Sequence, residues 1–132
     1  MKLFATIFCL LLLFCTTVLA DLGPKPTITI NFLSQNEFIP DGIKLDAFLL
    51  QCETADCQNA KRLEPIGPQH FSCLWDCDKK IVSCGGMAYG FSKFLQLDLV
   101  IKGKLIRSNI FLYSPKKVIA ALKTGKLTVN VQ

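Results

Sequence analysis

The chain reads as mainly β: an antiparallel β-sandwich, immunoglobulin-like or similar, with one short C-terminal helix and disulfide staples. Three observations carry that expectation. Apolar and polar residues alternate in several short runs, the period of a strand with one face buried. Turn residues recur between those runs at short intervals, as in all-β domains. The chain holds seven cysteines in 132 residues, five of them behind an export-type leader, and small exported domains lean on disulfides.

The first 20 residues have the pattern of a signal peptide. Lys2 supplies a positive start, "LFATIFCLLLLF" an apolar run, and Val18 and Ala20 the small residues before a cleavage point ahead of Asp21. Neither Cys9 nor Cys15 sits in the small-residue setting of a lipoprotein signal. The expected product is therefore residues 21–132, one secreted domain, extracellular or periplasmic. A bilayer span needs about 20 apolar residues, and no second run approaches that, so no integral membrane span is expected after cleavage.

After an extended "DLGPKP", the run "TITINF" puts Ile28, Ile30 and Phe32 on one side of a strand. "IKLDAFLLQC" puts Ile43, Leu45, Ala47 and Leu49 on one face and Phe48 and Leu50 on the other, the pattern of a central strand. In "FLQLDLVIKGKLIRSNIFLY", a two-residue turn at Lys102-Gly103 sets a hairpin register. It places Leu99 opposite Ile106 and Leu95 opposite Ile110 on one face, with Asp98 opposite Arg107 on the exposed face. Hydrophobic and charge pairing agree on that register. "SPKKVIAALKTG" predicts the helix, with Ser114 as N-cap, Pro115 at the first position, Gly125 as stop, and Val118, Ile119 and Leu122 as an apolar stripe. "KLTVNV" closes the chain as a strand.

Charge is uneven. Residues 21–92 carry six Lys/Arg against nine Asp/Glu, whereas residues 93–132 carry eight Lys/Arg against Asp98 alone. The lysines are spread along the strands, the pattern of a solvated face, although a basic half can also meet acidic polysaccharide or an anionic surface. Outside the leader the arginines are Arg62 and Arg107. That scarcity argues against specific nucleic-acid readout, because bidentate guanine contacts favour arginine.

The densest chemistry is "HFSCLWDCDKKIVSC". His70 with Cys73, Cys77 and Cys84 offers four zinc-ligand types, but without the paired C-x2-C knuckles of a recognisable site. A thioredoxin-like centre would need C-x-x-C beside a βαβ pattern, and neither is present. Cys52, Cys57, Cys73, Cys77 and Cys84 follow the leader, an odd number that leaves one thiol over. His70 is the chain's single histidine. No catalytic residue, metal or cofactor is assigned, and no enzyme activity is expected.

"GPKPT", the C-x4-C "CETADC", "GPQHFSC" and "CGGMAYGF" together resemble a group of uncharacterised bacterial exported or membrane-anchored proteins. The likeness runs from Gly23 to about Phe111. It implies a cross-linked exported β domain but no activity. It also implies the pairing: the group's shared cysteines match Cys52, Cys57, Cys73 and Cys84, giving Cys52–Cys57 and Cys73–Cys84 and leaving Cys77 as the free thiol.

The functional expectation is a binding or interaction module. Its contact surface is expected around Trp75, Lys79 and Lys80, within an aromatic patch of Phe71, Trp75, Tyr89 and Phe91, with Trp75 the most exposed of these because Asp76, Asp78, Lys79 and Lys80 flank it. Candidate partners are a protein or an acidic polysaccharide on a cell surface. The alternatives are a thiol-dependent tether or redox protein using Cys77, and a zinc module at His70, Cys73, Cys77 and Cys84.

Overall fold

The computed structural model describes residues 26–33, 39, 44–63, 71–86 and 91–132. The leader, the cleavage point, Ile43, His70 and Tyr89 lie outside the described residues. Among the described residues, ten strands form two five-stranded sheets. The first sheet holds β1 (Thr27–Phe32), β4 (Ser72–Asp76), β5 (Ile81–Gly85), β9 (Val118–Lys123) and β10 (Lys126–Val131), in the order β10-β9-β1-β5-β4. The second holds β2 (Leu45–Cys52), β3 (Lys61–Arg62), β6 (Phe94–Ile101) and β7 (Lys104–Arg107) in the order β3-β2-β6-β7, with β8 (Phe111–Leu112) also on β6.

The inward residues of both sheets make one core. Ile28, Ile30 and Phe32 of β1 meet Leu45, Ala47 and Leu49 of β2 and Leu95, Leu97, Leu99 and Ile101 of β6, all buried. Period-two burial is what a strand with one covered face requires. β2 lies between β3 and β6, and Leu50 and Cys52 on its outer face are buried as well.

The hairpin register holds where the turn controls it. Asp98 pairs with Arg107 and Leu99 with Ile106, and Lys102 and Gly103 both have positive φ, 50° and 77°. That is the backbone of a type I′ turn, whose twist matches its strands. The pairing of Leu95 with Ile110 does not hold: Leu95 lies opposite Phe111. One residue of slip enters between Arg107 and Phe111, because Ser108 turns its backbone and hydroxyl onto Leu97 (2.9 and 2.8 Å) and β7 ends there. Asp98 is not exposed either. It is only 5% accessible, held by a two-pronged bond from Arg107, Nε to Oδ1 and Nη2 to Oδ2, both 2.8 Å. The bond to Asp98 raises the Arg107 pKa above its ordinary value, with partial burial opposing.

The expected C-terminal helix is absent among the described residues; its place is taken by β9. Val118, Ala120 and Leu122 are buried and Ile119 and Ala121 half-buried, a period of two rather than 3.6. Ser114 Oγ does accept from Lys116 N–H (3.1 Å), but it closes a turn and the chain then runs extended. Thr124 and Gly125, at φ 48° and 76°, form a second turn of the Lys102-Gly103 kind. The sheet wins because β9 is paired on both edges, antiparallel to β10 and parallel to β1. That parallel pair also corrects the purely antiparallel expectation.

Candidate functional site

Two disulfides lie among the described residues, Cys52–Cys57 and Cys73–Cys84, with Cα separations of 4.8 and 4.0 Å. The first closes the loop that leads from β2 toward β3. The second joins directly opposed residues of β4 and β5. Cys77 is unbonded and exposed in the turn of residues 77–80. In that turn Asp76 accepts from the Lys79 backbone and from Lys79 Nζ, both at 3.0 Å, and its carboxyl is held below the ordinary value by those bonds, the backbone one foremost.

The proposed contact residues sit in different settings. Lys79 is exposed and ion-paired to Asp76, while Lys80 is half-buried at the end of the turn. Trp75, expected to be the most exposed aromatic, packs edge-on against Phe32 at 5.3 Å and against the core. Alternation explains it: Cys73 and Trp75 face inward, so Leu74 faces out, 69% exposed. Phe71 is buried and stacks on Phe91 (5.7 Å), which meets Tyr113 (4.8 Å). No group of three or more metal-ligand side chains gathers among the described residues. Cys73 and Cys84, being joined to each other, are not thiolates available to zinc.

What the structure brings together is a pair of unused strand edges. Leu63 N–H donates to Leu49 O (3.0 Å), so Leu49 turns its backbone groups toward β3. Leu97, opposite Leu49, is engaged by Ser108 and so turns away from β2. Leu49–Leu97 is therefore a non-hydrogen-bonded pair, and alternation makes Ala47–Leu99 and Leu45–Ile101 the same. The N–H and C=O of Leu45 and Ala47 thus point to the side where β3 would continue. β3 pairs only with Leu50 and Gln51, and no described residue bonds these groups.

The same reasoning applies to β4. Lys80 O accepts from Phe32 N–H (2.8 Å), which directs the even-numbered residues of β5, Cys84 among them, toward β1. Cys73–Cys84 is then a non-hydrogen-bonded pair, in keeping with its short Cα separation. Cys73 and Trp75 turn their backbone groups outward from β4, the last strand of its sheet.

The two edges approach within 8 Å, Cα to Cα, and line two adjoining hollows, so a bound strand would pair with one wall and not lie between both. One section, of about 340 Å³, is bounded by residues 44–48 and by Cys73, Leu74 and Trp75. The next, of about 380 Å³, is bounded by Ala47, Phe48, Leu49, Arg62, Leu63, Phe71, Ser72 and Cys73. Ala47, Phe48 and Cys73 line both sections. Trp75 Nε1 is buried with no hydrogen-bond partner among the described residues. A buried donor left unpaired costs about 1–3 kcal/mol.

Arg62 and Phe48 had no visible role in the sequence. A two-residue strand is too short to show alternation, and β3 is what puts the Arg62 guanidinium over the Phe48 ring at 3.4 Å. Leu74 was legible from the alternation of its neighbours. No protein-family model, curated protein or solved structure matches the chain.

Proposed function

We propose that the chain is an exported interaction module, of the kind the resembling bacterial proteins suggest, whose open seam takes up an extended segment of a partner polypeptide. One observation supports this reading: the edges of β2 and β4 line the same two adjoining hollows with the backbone groups of Leu45, Ala47, Cys73 and Trp75 unused by any described residue. Exposed edges template the addition of another strand. Between the two candidate partners, a protein fits better than a polysaccharide. An extended polypeptide repeats N–H and C=O groups at about 3.3 Å per residue, the spacing of the wall it would pair with. Disulfides accord with an oxidising compartment, and no helix among the described residues is long and apolar enough to cross a membrane.

Amide exchange tests the seam directly. In the free protein the Ala47 and Cys73 amides should exchange faster than those of Phe48 and Leu74, despite similar depth in their strands. Peptides selected from a displayed random ten-residue library should slow Ala47 or Cys73. Slow exchange at both sites in the free protein, or protection confined to the opposite side of the sandwich, would refute the reading.

A second reading rests on Cys77, unbonded and exposed beyond the end of β4. In an oxidising compartment an exposed leftover thiol is available to pair with a thiol of another chain. Non-reducing intact-mass analysis of secreted material should then show a Cys77-linked adduct or dimer, and an unmodified monomer would remove this reading.

A further inference from the structure

Arg62 and Arg107 both stand on the outer face of the second sheet, in very different electrostatic settings. The Arg107 fork is filled, both prongs bonded to Asp98. Arg62 lies with its guanidinium carbon 3.4 Å from the centroid of the Phe48 ring. Stacking engages the face of the guanidinium and leaves its in-plane N–H donors directed outward. No described carboxylate meets them. Asp98 is engaged by Arg107 and Glu53 by Lys61 at 3.3 Å. Arg62 lines the larger hollow together with Ala47 of β2 and Ser72 of β4. The other hollow is lined by both Lys44 and Asp46, so Arg62 is the cation without a described counter-charge along the two hollows.

We infer that Arg62 is the specificity residue of the seam and that it recognises a carboxylate on the bound strand. The inference rests on the seam reading above. A guanidinium oriented by an aromatic ring presents a planar fork whose geometry matches a carboxylate, and charge-assisted bonds of that kind are about twice as strong as neutral ones. The carboxylate can be an Asp or Glu side chain or the end of the partner chain. Strand periodicity makes the first arrangement internal, flanked by residues paired with Ala47 or Leu45, and the second terminal.

The test uses the whole exported chain and a displayed random ten-residue library, followed by synthetic peptides of the strongest selected sequence. The comparison set is a Glu form with amidated end, its Gln counterpart, and the Gln form with a free end. Enrichment of acidic residues is expected, with about tenfold or greater preference for the Glu form or for the free-ended form. Arg62→Gln should abolish that preference, and Arg62→Lys should restore part of it. The preference should also shrink between about 50 mM and 500 mM salt, as a partly exposed charge pair requires; this measurement on the unaltered protein stands even if a variant fails to fold. Equal binding of acidic and neutral peptides overturns the inference and leaves the seam intact. Selection of no peptide at all overturns both.

Discussion

The two long sides of the sandwich are finished differently. Along one, β10 approaches β7 and β8, Ser108 bridges to Leu127, and Asn109 caps the edge of β10 with its side chain. Its Oδ1 accepts from Val129 N–H (2.7 Å) and its Nδ2 donates to Val129 O (2.9 Å), so one amide stands in for a missing strand. Along the other, β2 and β4 face each other with their outward backbone groups unused by described residues, and both disulfides lie there. A sheet edge can be closed by hydrogen bonds, or its strands can be held at fixed spacing by covalent links. The second solution leaves the ladder groups available.

The largest expected effect comes from the core that both sides share. Leu99→Ala should cost about 2–5 kcal/mol in urea unfolding and lower protection on both sides together. A loss confined to one side would mean that the two sides are separate folding units. Removing the staples should separate the sides. Replacing Cys73 and Cys84 together by alanine should cost about 3 kcal/mol, and Cys52 with Cys57 about 2, from loop entropy. Amide protection is expected to fall first in β4 and at the β2–β3 pairing while β9 and β10 keep theirs. Equal loss everywhere would contradict the asymmetry.

On the closed side, Asn109→Ala should cost about 1–2 kcal/mol, since Val129 loses partners for both backbone groups that water can only partly replace. Asn109→Asp is the sharper variant, for it keeps the acceptor to Val129 N–H and loses the donor. It should fall between the two in chemical denaturation. The smallest effect is at the tip beside the open seam. The Asp76 carboxyl is depressed by the Lys79 bonds, so its contribution is present above the ordinary carboxylate value of 3.8 and is lost as pH falls through the depressed folded value. NMR shifts of residues 77–80 should therefore change at acid pH while the rest of the fold stays unchanged. Asp76→Asn should remove that transition.

Much of this architecture was legible residue by residue. Alternation in residues 27–32 and 45–49 marked the inward faces of β1 and β2. Lys102-Gly103 set the hairpin because a type I′ turn allows one register near its tip. That control faded within a few residues, and Ser108, bonding to Leu97, shifted Leu95 onto Phe111. Residues 118–123 satisfied both a helix stripe and a strand alternation, and local pattern alone could not decide between them. The tertiary structure did, because a segment flanked by β1 and β10 gains ladder bonds on both edges that no isolated helix can match. Trp75 was misjudged for a related reason: charged neighbours in the chain say little about a residue whose face is set by strand parity.

The sequence by itself determined the β class, the inward faces and the tight turns, since each depends on side chains or φ angles within a few residues. The edges of β2 and β4, the stacking of Arg62 on Phe48 and the capping of Val129 by Asn109 were decided only by the tertiary structure. Each of these depends on which strand ends beside which. That is a property of sheet order, and sheet order is set by burying one common core.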